Sequence, residues 1–169
     1  KIKLQSITKN NNNNILSDNY IDDSDVDDET LDIVPNSMQQ EAMVALGELR
    51  EKNESRGLLI AATGTGKTYL SIFDVKQSNP KRVLYVAHRD MILHKAESSY
   101  KNLLPHIKTG FLNGNQKDFH SDYLFASIYT LAKDETLTHF SREAFDYIII
   151  DEVHHAGASS YQKVINYFN

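Results

Sequence analysis

The chain has 169 residues, a formal net charge of −5 and no cysteine. That length is enough for one compact domain with its own core, and the missing cysteines exclude disulfides, cysteine-ligated zinc and thiol chemistry. No apolar run approaches the ~20 residues of a membrane-spanning helix or forms the apolar stretch of a secretory signal, which points to the cytoplasm; a first residue of Lys rather than Met suggests a piece of a longer protein.

The charge is unevenly spread. Residues 1–34 hold three basic and eight acidic side chains, while residues 35–169 carry fifteen of each sign. The whole negative excess therefore lies at the N-terminus. The same segment contains the run Asn10 to Asn14 and the acidic stretch Asp18 to Glu29. It offers too few apolar groups to offset the entropy of ordering, so residues 1–34 are expected to form a flexible Asn-rich, acidic linker ahead of a domain over 35–169. A neutral domain does not announce a nucleic-acid partner through bulk charge, although a few well-placed Lys and Arg can line one face.

From Pro35 onward helices and strands alternate. Ser37 followed by Gln40 matches a capping box, and Met38, Ala42, Ala45, Leu46 and Leu49 recur at helical spacing. Leu58 to Ala62 is a short apolar run of the kind a buried parallel strand shows. A Gly-rich turn follows, then a predicted helix from about Lys67 to Gln77. Arg82 to Ala87 reads as a strand and Asp90 to Leu104 as a helix. Lys108 to Leu112 and Tyr123 to Ser127 are further strands. A short helical region precedes the strand Tyr147 to Ile150, and Ser159 to Phe168 reads as a closing amphipathic helix with Tyr161, Val164, Ile165 and Phe168 on one face. This alternation predicts an α/β fold, a mostly parallel sheet with helices on both faces. Ligands of such sheets bind outside the carboxyl ends of the strands.

Two motifs fall at those ends. Ala61-Ala-Thr-Gly-Thr-Gly-Lys67-Thr68 lies between a strand and a helix and has the form of a phosphate-binding loop, with Ala where the usual pattern begins with Gly. Gly64 and Gly66 let the backbone wrap a phosphate without Cβ clashes, and the N–H groups of Thr63, Thr65 and the following helix can point at its oxygens. Lys67 can reach the β- and γ-phosphates, and the Thr68 hydroxyl can ligate Mg²⁺. Asp151-Glu152 follows the apolar strand directly. There Asp151 can hold Mg²⁺, and Glu152 can orient or deprotonate an attacking water. The adjacent His154 and His155 project differently and have no third ligand nearby, so they do not read as a zinc site. His88, His94 and His106 read as surface or helix-end residues.

With these residues in place, the chain resembles the first RecA-like domain of superfamily 2 helicases of the DEAD/DEAH-box class. Ala62 to Thr68 resembles their motif I, and Asp151-Glu-Val-His154 their motif II in its Asp-Glu-x-His form. The continuation to Tyr161 is similar to bacterial proteins related to restriction-enzyme motor (Res) subunits. Pro35 to Ala42 resembles the segment whose glutamine reads adenine; the resemblance gives that role to Gln39, with Gln40 its neighbour. It implies phosphate contacts to nucleic acid at Arg89, in Val86-Ala-His-Arg89, and at Thr130, in Ala126-Ser-Ile-Tyr-Thr130-Leu. It gives His154 a part in coupling. The resemblance also implies ATP and Mg²⁺ as cofactors, DNA in preference to RNA as partner, and a second RecA-like domain of the same full-length protein, whose arginine finger this chain lacks. The implied activity is ATP hydrolysis that drives movement on, or unwinding of, DNA, with the 169-residue chain alone expected to be nearly inactive. The alternative is a nucleotide-binding switch that engages a protein partner without translocation, which the neutral charge of residues 35–169 favours and the motif order opposes.

Overall fold

The structure, a computed structural model, describes residues 2–7, 33–61, 64–151 and 158–168. Six strands form one sheet, β1 (Ile2–Ile7), β2 (Arg56–Ile60), β3 (Val83–Ala87), β4 (Thr109–Leu112), β5 (Tyr123–Ser127) and β6 (Tyr147–Ile150). Their order across the sheet is β2-β1-β6-β3-β5-β4, and every pairing is parallel. Parallel neighbours need crossovers. Among the described residues α1 (Ser37–Glu51), α2 (Lys67–Ser78) and α3 (Asp90–Leu103) lie on such crossovers, the single turns α4 (Ile128–Leu131) and α5 (Asp134–Leu137) lie between β5 and β6, and α6 (Ala158–Tyr167) follows the last strand. The α/β architecture expected from the alternation is thus the one observed.

Strand alternation sorts the side chains into two cores. On one face Val83, Tyr85, Phe125, Tyr147 and Ile149 pack under Ile72 and Val75 of α2 and Leu93, Ala96 and Tyr100 of α3. On the other, Leu84, Val86, Leu124, Ala126, Ile148 and Ile150 pack against α4, α5 and the Tyr161, Val164, Ile165 and Phe168 stripe of α6. The four residues of β6 are all buried, as a strand covered on both faces requires.

The structure departs from the sequence expectations in three places. Ile2–Ile7 is not linker but a strand, paired with β2 through Ile7 and Ile60 and with β6 through Gln5 and Ile150. Its Ile2 and Leu4 alternate with Lys3 and Gln5, the period of a strand; residues 8–32 lie outside the described residues. The N-cap of α1 is Asn36 rather than Ser37, with Gln39 completing the capping box. Finally, only one face of β2 is covered: Leu59 packs against Leu46 of α1, and Leu58 and Ile60 on the other face are 57% and 56% exposed rather than buried.

Candidate functional site

The turn after β2 meets α2 through two residues in the left-handed region, Gly64 at φ +79° and Gly66 at φ +77°. Only glycine adopts that backbone at no cost. Gly66 is the N-cap of α2 and places no side chain over the helix end. The first N–H groups of a helix have no intrahelical partner, and such a helix start can receive an anion. Lys67 Nζ turns back across the loop and donates to the Ala61 carbonyl at 3.3 Å.

Gln39 ties α1 to this loop. Its Nε2 donates to the Gly66 carbonyl at 3.0 Å, and its Oε1 accepts from the Asn36 N–H at 2.9 Å. The side chain is buried, and a Cβ at Gly66 would lie 2.6 Å from Nε2. Gln40, by contrast, is exposed and donates to the Pro35 carbonyl. An open groove of about 430 Å³ runs along α1, lined by Pro35, Met43, Val44 and Gln77 among others, and contains none of the predicted site residues.

The second arm of the site is the end of β6. Asp151 N–H donates to the Val86 carbonyl at 2.8 Å, which continues the β3–β6 ladder by one residue. Its carboxylate accepts a 2.7 Å hydrogen bond from the Tyr85 hydroxyl. Tyr85 is 2% exposed. Burial and the adjacent Asp151 charge hold its phenol well above the ordinary tyrosine range, with a weaker opposing pull from Thr68. Tyr85 donates at neutral pH; it does not ionise.

A buried polar network lies beneath. Asp74 of α2 accepts from Arg50 of α1 and from the Tyr147 hydroxyl at the start of β6. Ser71 Oγ donates to the Thr68 carbonyl at 2.7 Å and contacts the Tyr100 hydroxyl at 2.9 Å. Burial first, then the Asp74 charge, raises Tyr147 far above its ordinary value, and burial does the same for Tyr100. Burial lowers Arg50, but the hydrogen bond and charge of Asp74 outweigh it and raise it on balance. The helix that follows the glycine loop is therefore pinned to α1, α3 and β6 by polar contacts as well as by packing.

Gly64, Thr65, Gly66, Lys67 and Thr68 converge with Gln39 at one end of β2 and α2. Asp151 stands at the same carboxyl end of the sheet, two strand positions away across β1. Arg89 is exposed just beyond β3. Thr130 is 6% exposed within α4, while its neighbour Tyr129 is 58% exposed; Ala87 and Ser127 are register partners, so the two segments leave the sheet side by side. Thr63, Glu152 and His154 lie outside the described residues. Sequence reasoning missed Asn36, Arg50, Asp74 and Tyr85. The one local signal was a hydroxyl-bearing residue in the middle of the otherwise apolar Val83 to Ala87.

The residues present suit a nucleotide phosphate chain with its cation. The two left-handed glycines let the loop turn tightly ahead of α2, and Thr68 and Asp151 are hard oxygen donors of the sort Mg²⁺ takes alongside phosphates. No group of three or more His, Cys, Asp or Glu that could hold a metal ion by itself occurs among the described residues, and a cation shared with phosphates needs none. No helix among the described residues is long and apolar enough to cross a membrane.

Comparison with known proteins fits this geometry. The family model described as "Type III restriction enzyme, res subunit" matches residues 32–169. The Saccharomyces cerevisiae protein named "Putative ATP-dependent helicase IRC3" is 30% identical over 145 residues, 77% of this chain and 20% of its own length. The Escherichia coli "Type I restriction enzyme EcoAI endonuclease subunit" is 26% identical over 148 residues, 80% of this chain and 18% of its own length. Among solved structures, a nuclease-deletion mutant of the Type ISP restriction-modification enzyme LlaGI, in complex with a DNA substrate mimic, superposes with a TM-score of 0.53 at 22% identity. That match covers 78% of this chain and 16% of LlaGI, and at such identity it shows a shared fold. This chain thus spans only 16% to 20% of these three proteins.

Proposed function

The chain belongs to the family of Type III restriction enzyme res subunits, and from that premise we propose that it is the first RecA-like domain of a nucleic-acid-dependent ATPase that moves on or unwinds DNA. The observation that carries the reading is the loop Gly64 to Thr68, with its left-handed glycines, opening α2 at the carboxyl end of the sheet, where Asp151 also stands. Backbone N–H groups and Lys67 bind the phosphates as fixed positive groups. Thr68 and Asp151 would hold Mg²⁺, which would supply charge neutralisation at the phosphates. Glu152 orients the attacking water, and Gln39, held against Gly66, links the adenine-side helix to the loop. Arg89 and Thr130 meet the polymer backbone, with His154 coupling them to the nucleotide. The domain spans residues 35–169 with β1 completing its sheet, works beside a second RecA-like domain of the full-length protein, and resides in the cytoplasm.

Contacts of this kind go to phosphates, so binding is salt-sensitive and largely indifferent to base sequence. The arginine finger of a second domain contributes about 10³ to 10⁵ in rate where it has been measured, so the 169-residue chain alone turns over very slowly. The test is Mg-ATP turnover by a longer chain carrying that second domain, with no polymer, single-stranded DNA, duplex DNA or RNA, beside Lys67→Ala. Stimulation by DNA that Lys67→Ala abolishes supports the reading. ATP binding without stimulation by any polymer refutes it in favour of a switch that answers to a protein.

A further inference from the structure

The Tyr85 ring is explained by packing. It lies edge-on to Tyr100 at 6.0 Å and tilted on Phe125 at 5.6 Å, inside the core under α2 and α3. A phenylalanine would make the same contacts. The hydroxyl is not so explained, because burying one without a partner is costly. Its partner is Asp151, 66 residues later in the chain and one residue past the end of the neighbouring strand, at 2.7 Å. The register brings them together: Val86 pairs with Ile150, so the Tyr85 side chain, on the α2 face, reaches the first residue beyond β6. One buried hydroxyl therefore holds a side chain that the proposed function assigns to the cation.

We infer that Tyr85 is a positioning residue for the cation end of the nucleotide site, holding the Asp151 carboxylate in one rotation between β3 and α2. With one oxygen committed to the phenol, the carboxylate meets an arriving cation already oriented. This rests on the reading of Asp151 as a Mg²⁺ residue. Partners that orient a metal ligand typically change metal affinity about 10- to 100-fold when removed. Tyr85 does not touch the phosphates, so nucleotide binding without metal should not depend on its hydroxyl.

The test measures binding of a fluorescent ATP analogue to the 169-residue chain in EDTA and in Mg²⁺, and takes the ratio of the two affinities. Tyr85→Phe should leave the EDTA affinity unchanged and lower the ratio about tenfold. Asp151→Asn should bring the ratio near one. Tyr167→Phe, which removes a hydroxyl bonded to the Phe140 carbonyl on the other face of the sheet, should change neither; that separates positioning from a general loss of packing. Adding Tyr85→Phe to Asp151→Asn should have no further effect. Should Tyr85→Phe not fold, Tyr85→Met, whose flexible side chain fills irregular gaps, answers the same question. A ratio within twofold of the parent in the Tyr85 variant, while Asp151→Asn collapses it, overturns the inference and leaves the nucleotide site standing. A normal ratio in Asp151→Asn, or no Mg²⁺ dependence in the parent, overturns the proposed role of Asp151 and the inference with it.

Discussion

Replacing Asp74 with alanine tests how α2 is held. Asp74 is fully buried and accepts from both Arg50 and the Tyr147 hydroxyl. Its loss leaves the Tyr147 hydroxyl inside the core without an acceptor, a cost of about 1–3 kcal/mol. Arg50 loses its partner too, but its side chain is 26% exposed and can turn to water. The penalty for stranding it is therefore below the roughly 3–5 kcal/mol of a fully buried pair. A further reduction comes from Asp74 Oδ1, which has no hydrogen-bond partner, so removing the carboxylate also removes an unsatisfied acceptor. The balance is a destabilisation of about 2–4 kcal/mol, which for a domain of this size lowers the melting temperature by roughly 4–16 °C. Urea denaturation followed by circular dichroism measures it. Tyr147→Phe, which removes one donor and leaves the Arg50–Asp74 pair, should cost only about 1 kcal/mol, and the double variant should cost less than the sum. An Asp74→Ala cost below about 0.5 kcal/mol, the range of ordinary surface changes, would refute the view that this network anchors α2.

Other consequences are equally direct. Gly66→Ala places a Cβ at φ +77° and 2.6 Å from Gln39 Nε2; it should cost at least about 1–2 kcal/mol of stability and weaken nucleotide binding in an equilibrium titration. Tyr100 and Tyr147 keep their protons to higher pH folded than unfolded. The unfolded chain therefore binds fewer protons above pH ~10, and the unfolding free energy from denaturant titrations should fall with a slope of about 3 kcal/mol per pH unit from those two groups. Asp118 is held below the ordinary carboxylate range: burial alone would raise it, but the Ser121 hydroxyl and the N–H groups of His120 and Ser121 outweigh that. Its contribution is present above the unfolded value of ~4 and is lost as pH falls through the folded value. Asp118→Asn should cost about 1 kcal/mol at pH 7 and flatten the acid limb of a stability–pH curve.

Much of this fold can be read from local pattern. The apolar run Tyr147 to Ile150 is a buried strand because both of its neighbours and both faces are covered. The loop glycines sit where the backbone requires a positive φ. What local pattern cannot carry is pairing across distance. Ile2–Ile7 is a strand because β2 and β6, more than 48 and 139 residues away, leave it a place between them. Asp74 looks like one charge on a solvated helix face until Arg50 and Tyr147, 24 and 73 residues off, close over it. The choice between Ser37 and Asn36 as cap is also settled at long range. Both fit the capping-box spacing, and the bond from Gln39 to Gly66, 27 residues on, selects Asn36. Tyr85 reads as core from its neighbours, and only the sheet register brings it to Asp151.

The central claim is that Gly64 to Thr68 opens a nucleotide site. Calorimetric titration of the 169-residue chain with Mg-ATP tests it, with Lys67→Ala as the comparison. The account predicts saturable one-to-one binding, weakened about 10- to 100-fold in Lys67→Ala by loss of a charge-assisted phosphate contact. Equal affinity in the two chains, or no binding by a folded parent, would contradict it.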